Sequence, residues 1–247
     1  MSFALPVRPW RLTGAAVLWS VAAVLMSLVV IGLVWLAEWA IGLVGPAKPM
    51  PDDFRPFLAL AGIMTQLVFL LVSWRQGLRV GERNLTSNLG DVPIRRLRLV
   101  IGLSILQVVV GAIVLGLAQQ IPAVAKELKD AEKLSGLFFD GTMWILPGIV
   151  LIVVLAPLGE ELFFRGWLWT GLRRVWSPLA VSAVTGGLWL LLHLGNGLLY
   201  PLFLVPAAVL FSVIRHVGGS VRASLIAHVV NNGFAAGAAL LQLALTN

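Results

Sequence analysis

The sequence of 247 residues contains no cysteine, one tyrosine and three histidines, and only 12% of its residues are charged. Soluble globular chains contain about 25% charged residues, so this composition excludes an ordinary soluble domain. The lack of cysteine excludes disulfide bonds, thiolate metal sites and cysteine nucleophiles.

The chain is rich in hydrophobic residues, which make up 59% of the sequence, and its mean hydropathy is +0.95. This combination predicts an all-α fold, a polytopic bundle of membrane helices with the lipid bilayer as its main partner. The net charge of +7 has a simple source in basic loops between spans, so no nucleic-acid partner is expected.

The apolar runs predict about seven transmembrane helices. The first run is longer than a signal-peptide core of about 7–15 residues and is interpreted as a retained helix. "GNGLLYP" is a turn signal that separates the fifth and sixth spans. We expect one membrane domain over residues 1–247, with a motif-bearing core at 143–244. The predicted spans are 14–44, 57–74, 98–119, 143–165, 179–197, 199–214 and 221–244.

The distribution of basic residues predicts the orientation. If the N-terminus is cytoplasmic, thirteen of the eighteen basic residues fall on the cytoplasmic side, and the C-terminus lies outside. The basic loop at 75–98 is then expected to contact anionic lipid, which we favour over a role in substrate recognition. The thirteen are Arg8, Arg11, Arg75, Arg79, Arg83, Arg95, Arg96, Arg98, Arg165, Arg173, Arg174, Arg215 and Arg222.

The fourth span carries the charged sequence "GEELFFRG". Glu161 and Arg165 are i and i+4, so they share a helix face and can pair, whereas Glu160 points about 100° away. Ionisable groups in a bilayer are costly and usually face a polar interior with a partner. The alternative is an interfacial triplet, in which the helix ends here and Arg165 extends to the headgroups.

Two of the three histidines also lie in predicted spans. Trp189 and His193 share a face in the fifth span, and His228 and Asn232 share a face in the seventh. A lone histidine in a helix is more often a packed polar residue than a catalyst. Polar groups in three otherwise apolar spans nevertheless favour a shared functional site.

These residues together resemble the motifs of the CAAX protease and bacteriocin-processing (CPBP, or Abi) family. "GEELFFRG" is similar to its Glu-Glu-x-x-x-Arg motif, "WLLLH" to Phe-x-x-x-His and "HVVNN" to His-x-x-x-Asn. The resemblance covers residues 143–244. One departure is Trp189, which stands where the family usually has phenylalanine, and we expect altered packing around His193 without loss of chemistry.

The resemblance implies an intramembrane endopeptidase that cleaves a membrane-anchored protein or peptide. Glu160 would activate water held jointly with His193, and His228 and Asn232 would stabilise the oxyanion. Glu161 and Arg165 would form a structural pair. Peptide hydrolysis needs such a base, a positioned water and oxyanion donors.

The resemblance favours catalysis without a cofactor. Zinc held by Glu160, His193 and His228 is the alternative, although the His-Glu-x-x-His spacing of many zinc proteases is missing. We expect an integral protein of a bacterial inner membrane.

Two other functions stay open from the sequence. One is a non-enzymatic family member, acting as an immunity protein or as a subunit of a larger membrane complex. The other is a proton-coupled transporter, which would be expected to show an inverted repeat or paired broken helices. We find neither feature in the sequence.

The orientation can be tested with reporter fusions. A reporter that is active only in the cytoplasm should be active when it is inserted between residues 75 and 98, because this loop is rich in arginine. The same reporter inserted between residues 119 and 142 should be inactive. The reverse pattern would overturn the predicted orientation.

Overall fold

The computed structural model describes residues 8–42, 55–79, 94–136 and 142–246. Every regular element in these residues is helical, and seven helices are long and apolar enough to cross a membrane. The predicted all-α membrane bundle is therefore confirmed. The seven candidate spans are Pro9–Ala40, Phe57–Gln76, Leu97–Ala118, Ile145–Leu172, Pro178–Asn196, Tyr200–Gly218 and Val221–Leu245.

Ten α-helices are named here in chain order, and the fourth span contains three of them. They are α1 (Pro9–Ala40), α2 (Arg55–Arg79), α3 (Leu97–Ala118), α4 (Pro122–Gly136), α5 (Thr142–Ile149), α6 (Ala156–Glu160), α7 (Trp169–Leu172), α8 (Pro178–Leu192), α9 (Tyr200–Gly218) and α10 (Val221–Thr246).

The fourth span continues past the predicted end at residue 165. Gly166 to Leu172 remain helical and buried apart from the half-buried Thr170, and the helix ends at Leu172. Arg165 is fully buried in its interior. The interfacial-triplet alternative is therefore wrong, because this arginine does not extend to the headgroups.

Two π-helical segments interrupt the fourth span, at Val150–Leu155 and Glu161–Leu168. Pro157 follows the first segment and has no N–H to donate. In the π-helical register its partner would be the carbonyl of Ile152, five residues earlier, so this carbonyl needs a donor from elsewhere. The span absorbs the proline by widening, and it does not break.

α2 packs closely against the charged part of the fourth span. Phe69 stacks on Phe163 with ring centroids 4.5 Å apart, and Phe163 meets Phe164 edge to face at 4.9 Å. A Cβ atom at Gly159 would collide with the side chain of Gln66 on α2. The glycine therefore allows α2 to approach the helix beside Glu160.

The predicted turn between the fifth and sixth spans is present and is held by α4. A 3₁₀ turn, His193–Asn196, ends α8, and Gly197 follows with a positive φ of 135°. The carboxylate of Glu127 on α4 accepts the backbone N–H groups of Leu199 and Tyr200 at 2.5 and 2.9 Å. α4 thus anchors the loop that carries His193.

Three expectations stay predictions at this point. The central part of the basic loop, residues 80–93, lies outside the described residues. The single-domain interpretation and the side of the membrane on which each terminus lies also stay predictions.

Candidate active site

Three spans bring five of the predicted residues together in the interior of the bundle. We call these residues the carboxylate cluster. The fourth span contributes the two glutamates and the arginine, α8 contributes the tryptophan, and α10 contributes the histidine. The cluster consists of Glu160, Glu161, Arg165, Trp189 and His228, and each is at most 9% exposed.

Glu161 is the fully buried centre of this cluster. Its Oε1 accepts a hydrogen bond from Arg165 Nη1 at 3.1 Å, and His228 Nδ1 lies 3.1 Å from the same oxygen. Because a carboxylate paired with a guanidinium can only accept, His228 Nδ1 is the donor. One carboxylate oxygen therefore receives donors from its own helix and from α10.

The arginine is held by aromatic rings as well as by Glu161. Its guanidinium carbon lies 5.2 Å from the ring centroid of Trp189 and 5.7 Å from that of Phe211. Among the described residues, Arg165 Nε and Nη2 have no hydrogen-bond partner. The π faces of the two rings supply the compensating attraction for a desolvated cation.

Glu160 meets two groups from other helices. Its Oε2 accepts the indole N–H of Trp189 at 2.5 Å, and His228 Nε2 lies 3.9 Å from the same oxygen. His228 also stacks on Phe211, with centroids 4.6 Å apart. The imidazole is thus fixed between the two glutamates, with one ring nitrogen directed to each.

His193 lies at the C-terminal end of α8, where the helix passes into the 3₁₀ turn. Its Nδ1 donates to the carbonyl of Trp189 at 2.9 Å, since a carbonyl only accepts, and this leaves the lone pair on Nε2. The ring packs on Trp189 at 4.5 Å, as their spacing predicts, and lies nearly parallel to Tyr200 at 6.5 Å. Trp189 therefore contacts both His193 and Glu160.

Asn232 has a different set of partners. Its Nδ2 donates to the carbonyl of Ile152 at 2.9 Å, which is the carbonyl that Pro157 leaves without a donor. Its Oδ1 accepts from Asn231 Nδ2 at 3.1 Å. Asn231 in turn accepts from Gln107 Nε2 of α3 at 2.7 Å. The amide of Asn232 is thus bonded on both sides.

Sequence reasoning missed several groups around the site. The most informative is Gln107, which is 1% exposed in the middle of an apolar span. A single amide in such a span is itself a functional hypothesis, so this signal was present in the sequence. No local spacing connects α3 with α10, and the link to Asn231 could not be predicted. The hydrogen bond from the Trp189 indole to Glu160 was also missed, because only packing was expected there.

Among the residues that the structure describes, the side chains around the carboxylate cluster are not arranged as a metal site. Within the described ranges, no group of three or more His, Asp or Glu side chains is arranged to hold a metal ion. Both ring nitrogens of His228 already face carboxylates, and His193 Nδ1 is bonded to backbone. We therefore derive no catalytic step through zinc.

Comparison with known proteins finds a family that is similar to the segment carrying these residues. Residues 142–234 match the family described as type II CAAX prenyl endopeptidase Rce1-like. This segment of the chain is similar to the CPBP family of CAAX proteases. The match contains Glu160, His193, His228 and Asn232, but not Gln107.

A curated protein similar to this chain is the uncharacterized protein YyaK of Bacillus subtilis (strain 168). The two are 31% identical over 103 residues, which is 37% of this chain and 33% of the relative. The chain thus spans about a third of the length of the relative that it matches. No solved structure matches the chain significantly.

Replacing Arg165 tests the buried ion pair. Arg165→Ala should lower the free energy of unfolding in detergent by about 3–5 kcal/mol, because it leaves the Glu161 carboxylate buried with one partner fewer. Arg174→Ala, at an exposed arginine in the following turn, should change it by less than about 1 kcal/mol. Equal melting of the two variants would show that the pair is not needed for folding.

Replacing Trp189 tests the hydrogen bond to Glu160. Trp167 offers a matched control, since it is also buried but, within the described residues, its indole N–H has no partner. Trp189→Phe should lower the free energy of unfolding by about 1.5–3 kcal/mol more than Trp167→Phe, the value of a hydrogen bond to a charged group. Equal losses would mean that the indole N–H contributes only packing.

Proposed function

We propose that this protein is an intramembrane endopeptidase that hydrolyses a peptide bond of a membrane-anchored protein or peptide. One observation carries the proposal: a buried glutamate, Glu160, is held by Trp189 and faces His228 inside a segment similar to the CAAX-protease family. A buried and oriented carboxylate beside an imidazole is suited to general acid–base chemistry.

In the proposed reaction, Glu160 is the general base. Its Oε2 accepts the indole N–H of Trp189, so Oε1 takes a proton from the attacking water. The lone pair on His193 Nε2 accepts the second O–H of the same water and orients it. The oxygen of the water then attacks the scissile carbonyl carbon, and negative charge develops on the carbonyl oxygen.

The oxyanion is stabilised by groups from α10. Asn232 has a second Nδ2–H besides the one bonded to Ile152, and His228 Nε2 can donate when the ring is protonated. When the tetrahedral intermediate collapses, the carbon–nitrogen bond breaks and Glu160 returns its proton to the leaving amine. The products are a new carboxylate and a new amine, with no covalent enzyme intermediate.

The burial pattern indicates the end from which substrate reaches the site. Toward the arginine-rich end of the fourth span, every residue from Glu161 to Leu168 is buried. Toward the other end, His193, Tyr200 and Asn232 are partly exposed. A membrane-anchored segment therefore enters from the α4 side. In the predicted orientation this side of the membrane faces away from the cytoplasm.

The same proposal includes the orientation just described. It also includes a location in a bacterial inner membrane and a reaction that needs no metal. Further subunits of a membrane complex are not needed for it. The lipid bilayer supplies the surroundings, and the substrate shares that bilayer with the enzyme.

The glutamate-base proposal can be tested before any substrate has been identified. Membrane proteomes of cells producing the wild type or Glu160→Gln are compared for newly formed peptide termini. Termini that depend on the wild type should fall by about 10²–10⁴-fold in rate with Glu160→Gln, the usual value of a general base. A chelator should leave the wild-type rate unchanged.

A second variant controls for the loss of a carboxylate in a membrane helix. Glu38→Gln changes the half-buried glutamate of α1, far from the cluster in sequence, and should cleave normally. Full cleavage by Glu160→Gln would remove that residue from the chemistry. Loss of activity on chelation, restored by zinc, would overturn the metal-independent reaction.

A further inference from the structure

Gln107 is a buried amide that the proposed reaction does not use. It lies in the middle of α3, outside the segment that matches the family, and is 1% exposed. Among the described residues its Oε1 has no hydrogen-bond partner, while its Nε2 donates to Asn231. An amide buried in an apolar span is costly, and its retention indicates a role.

The amide of Gln107 begins a directed chain of hydrogen bonds. Gln107 Nε2 donates to Asn231 Oδ1 at 2.7 Å, and Asn231 Nδ2 donates to Asn232 Oδ1 at 3.1 Å. Asn232 Nδ2 then donates to the Ile152 carbonyl at 2.9 Å. Asn231 accepts from α3 and donates to Asn232, and Asn232 accepts from Asn231 and donates to the fourth span.

The direction of these hydrogen bonds matters for the proposed reaction, because it decides whether Asn232 presents N–H groups or an oxygen. A carboxamide can be turned by 180° with little change in shape, and the turned form would present oxygen where nitrogen stood. An oxygen cannot stabilise an oxyanion, because only an N–H can donate to it. The donor from Asn231 and the acceptor at Ile152 both favour the same orientation of Asn232.

We propose that Gln107 is a positioning residue, which acts through Asn231 to hold the Asn232 amide with its N–H groups toward the fourth span. This inference rests on the proposed function, in which Asn232 stabilises the oxyanion. It extends the site to α3 and to two residues that the family motifs do not contain.

A spectroscopic experiment tests this series of hydrogen bonds without any substrate. The sequence has six asparagines, so selective ¹⁵N-asparagine labelling gives few side-chain amide signals. The signal of Asn232 is assigned by its loss in Asn232→Ala. Gln107→Met, which keeps the length of the side chain but removes the amide, should shift the signals of both Asn231 and Asn232.

The control is Ser104→Ala, also buried on α3, whose hydroxyl bonds to the carbonyl of Val100 one turn earlier. It should leave the Asn232 signal in place. An unchanged Asn232 signal in folded Gln107→Met would overturn the proposal, whatever the reaction of the protein is.

A double-mutant cycle tests the catalytic consequence, using the cleavage event found with the Glu160→Gln comparison. Asn232→Ala should lower kcat by about 10²–10³-fold, and Gln107→Met by about tenfold, the cost of one misplaced hydrogen bond. In the Asn232→Ala background, Gln107→Met should change kcat by less than about twofold, because its effect passes through that residue. Partial unfolding would instead lower kcat in both backgrounds.

The outcomes separate this inference from the proposed function. If Glu160→Gln cleaves fully, the glutamate-base reaction is wrong. The spectroscopic experiment still tests the hydrogen bonds from Gln107 to Asn232, because it needs no substrate. If Asn232→Ala lowers kcat but Gln107→Met does not, only the role of Gln107 is overturned. Additive losses in the cycle would also overturn it.

Discussion

The constraint on which the site depends is the neutralisation of Glu161, a carboxylate with no exposure inside a membrane span. Its charge is balanced by Arg165 on the same helix and by the Nδ1 proton of His228. Once Nδ1 is committed, the other nitrogen of His228 faces Glu160. The pair that sequence motifs mark as structural therefore sets the direction of the imidazole. A buried charge and a candidate catalytic base are connected through one ring.

The second constraint is that no backbone group can remain without a partner in lipid. The two π-helical segments leave carbonyls that side chains from other helices satisfy. Asn232 of α10 donates to the carbonyl of Ile152, and Arg215 of α9 donates to that of Arg165 at 2.9 Å. The irregular fourth span is thus hydrogen-bonded to α10 and to α9 at two positions along its length. The same irregularity that costs hydrogen bonds within the helix supplies specific contacts between helices.

Much of the fold followed from the sequence, because hydropathy and length decide which segments span a bilayer. All seven spans were predicted, and the main error was the end of the fourth, where Gly166 to Leu172 continue a helix that charge alone had suggested would stop. Pairs within one helix, such as Glu161 with Arg165 and Trp189 with His193, follow from i, i+4 spacing. Contacts between helices do not, because no local pattern records the register of one helix against another.

The contacts that sequence could not supply are also those that hold a membrane bundle together. Lipid is as apolar as the helix surfaces, so burial of leucine against leucine contributes little to association, and small and polar residues must specify it. Gly159 lets α2 approach the helix of Glu160, and Gln107 connects α3 to Asn231. Both contacts involve the amino-terminal spans, whose sequences are otherwise those of ordinary membrane helices. The matched segment thus supplies the candidate reacting groups, and two contacts from spans outside it help to fix the geometry in which those groups meet.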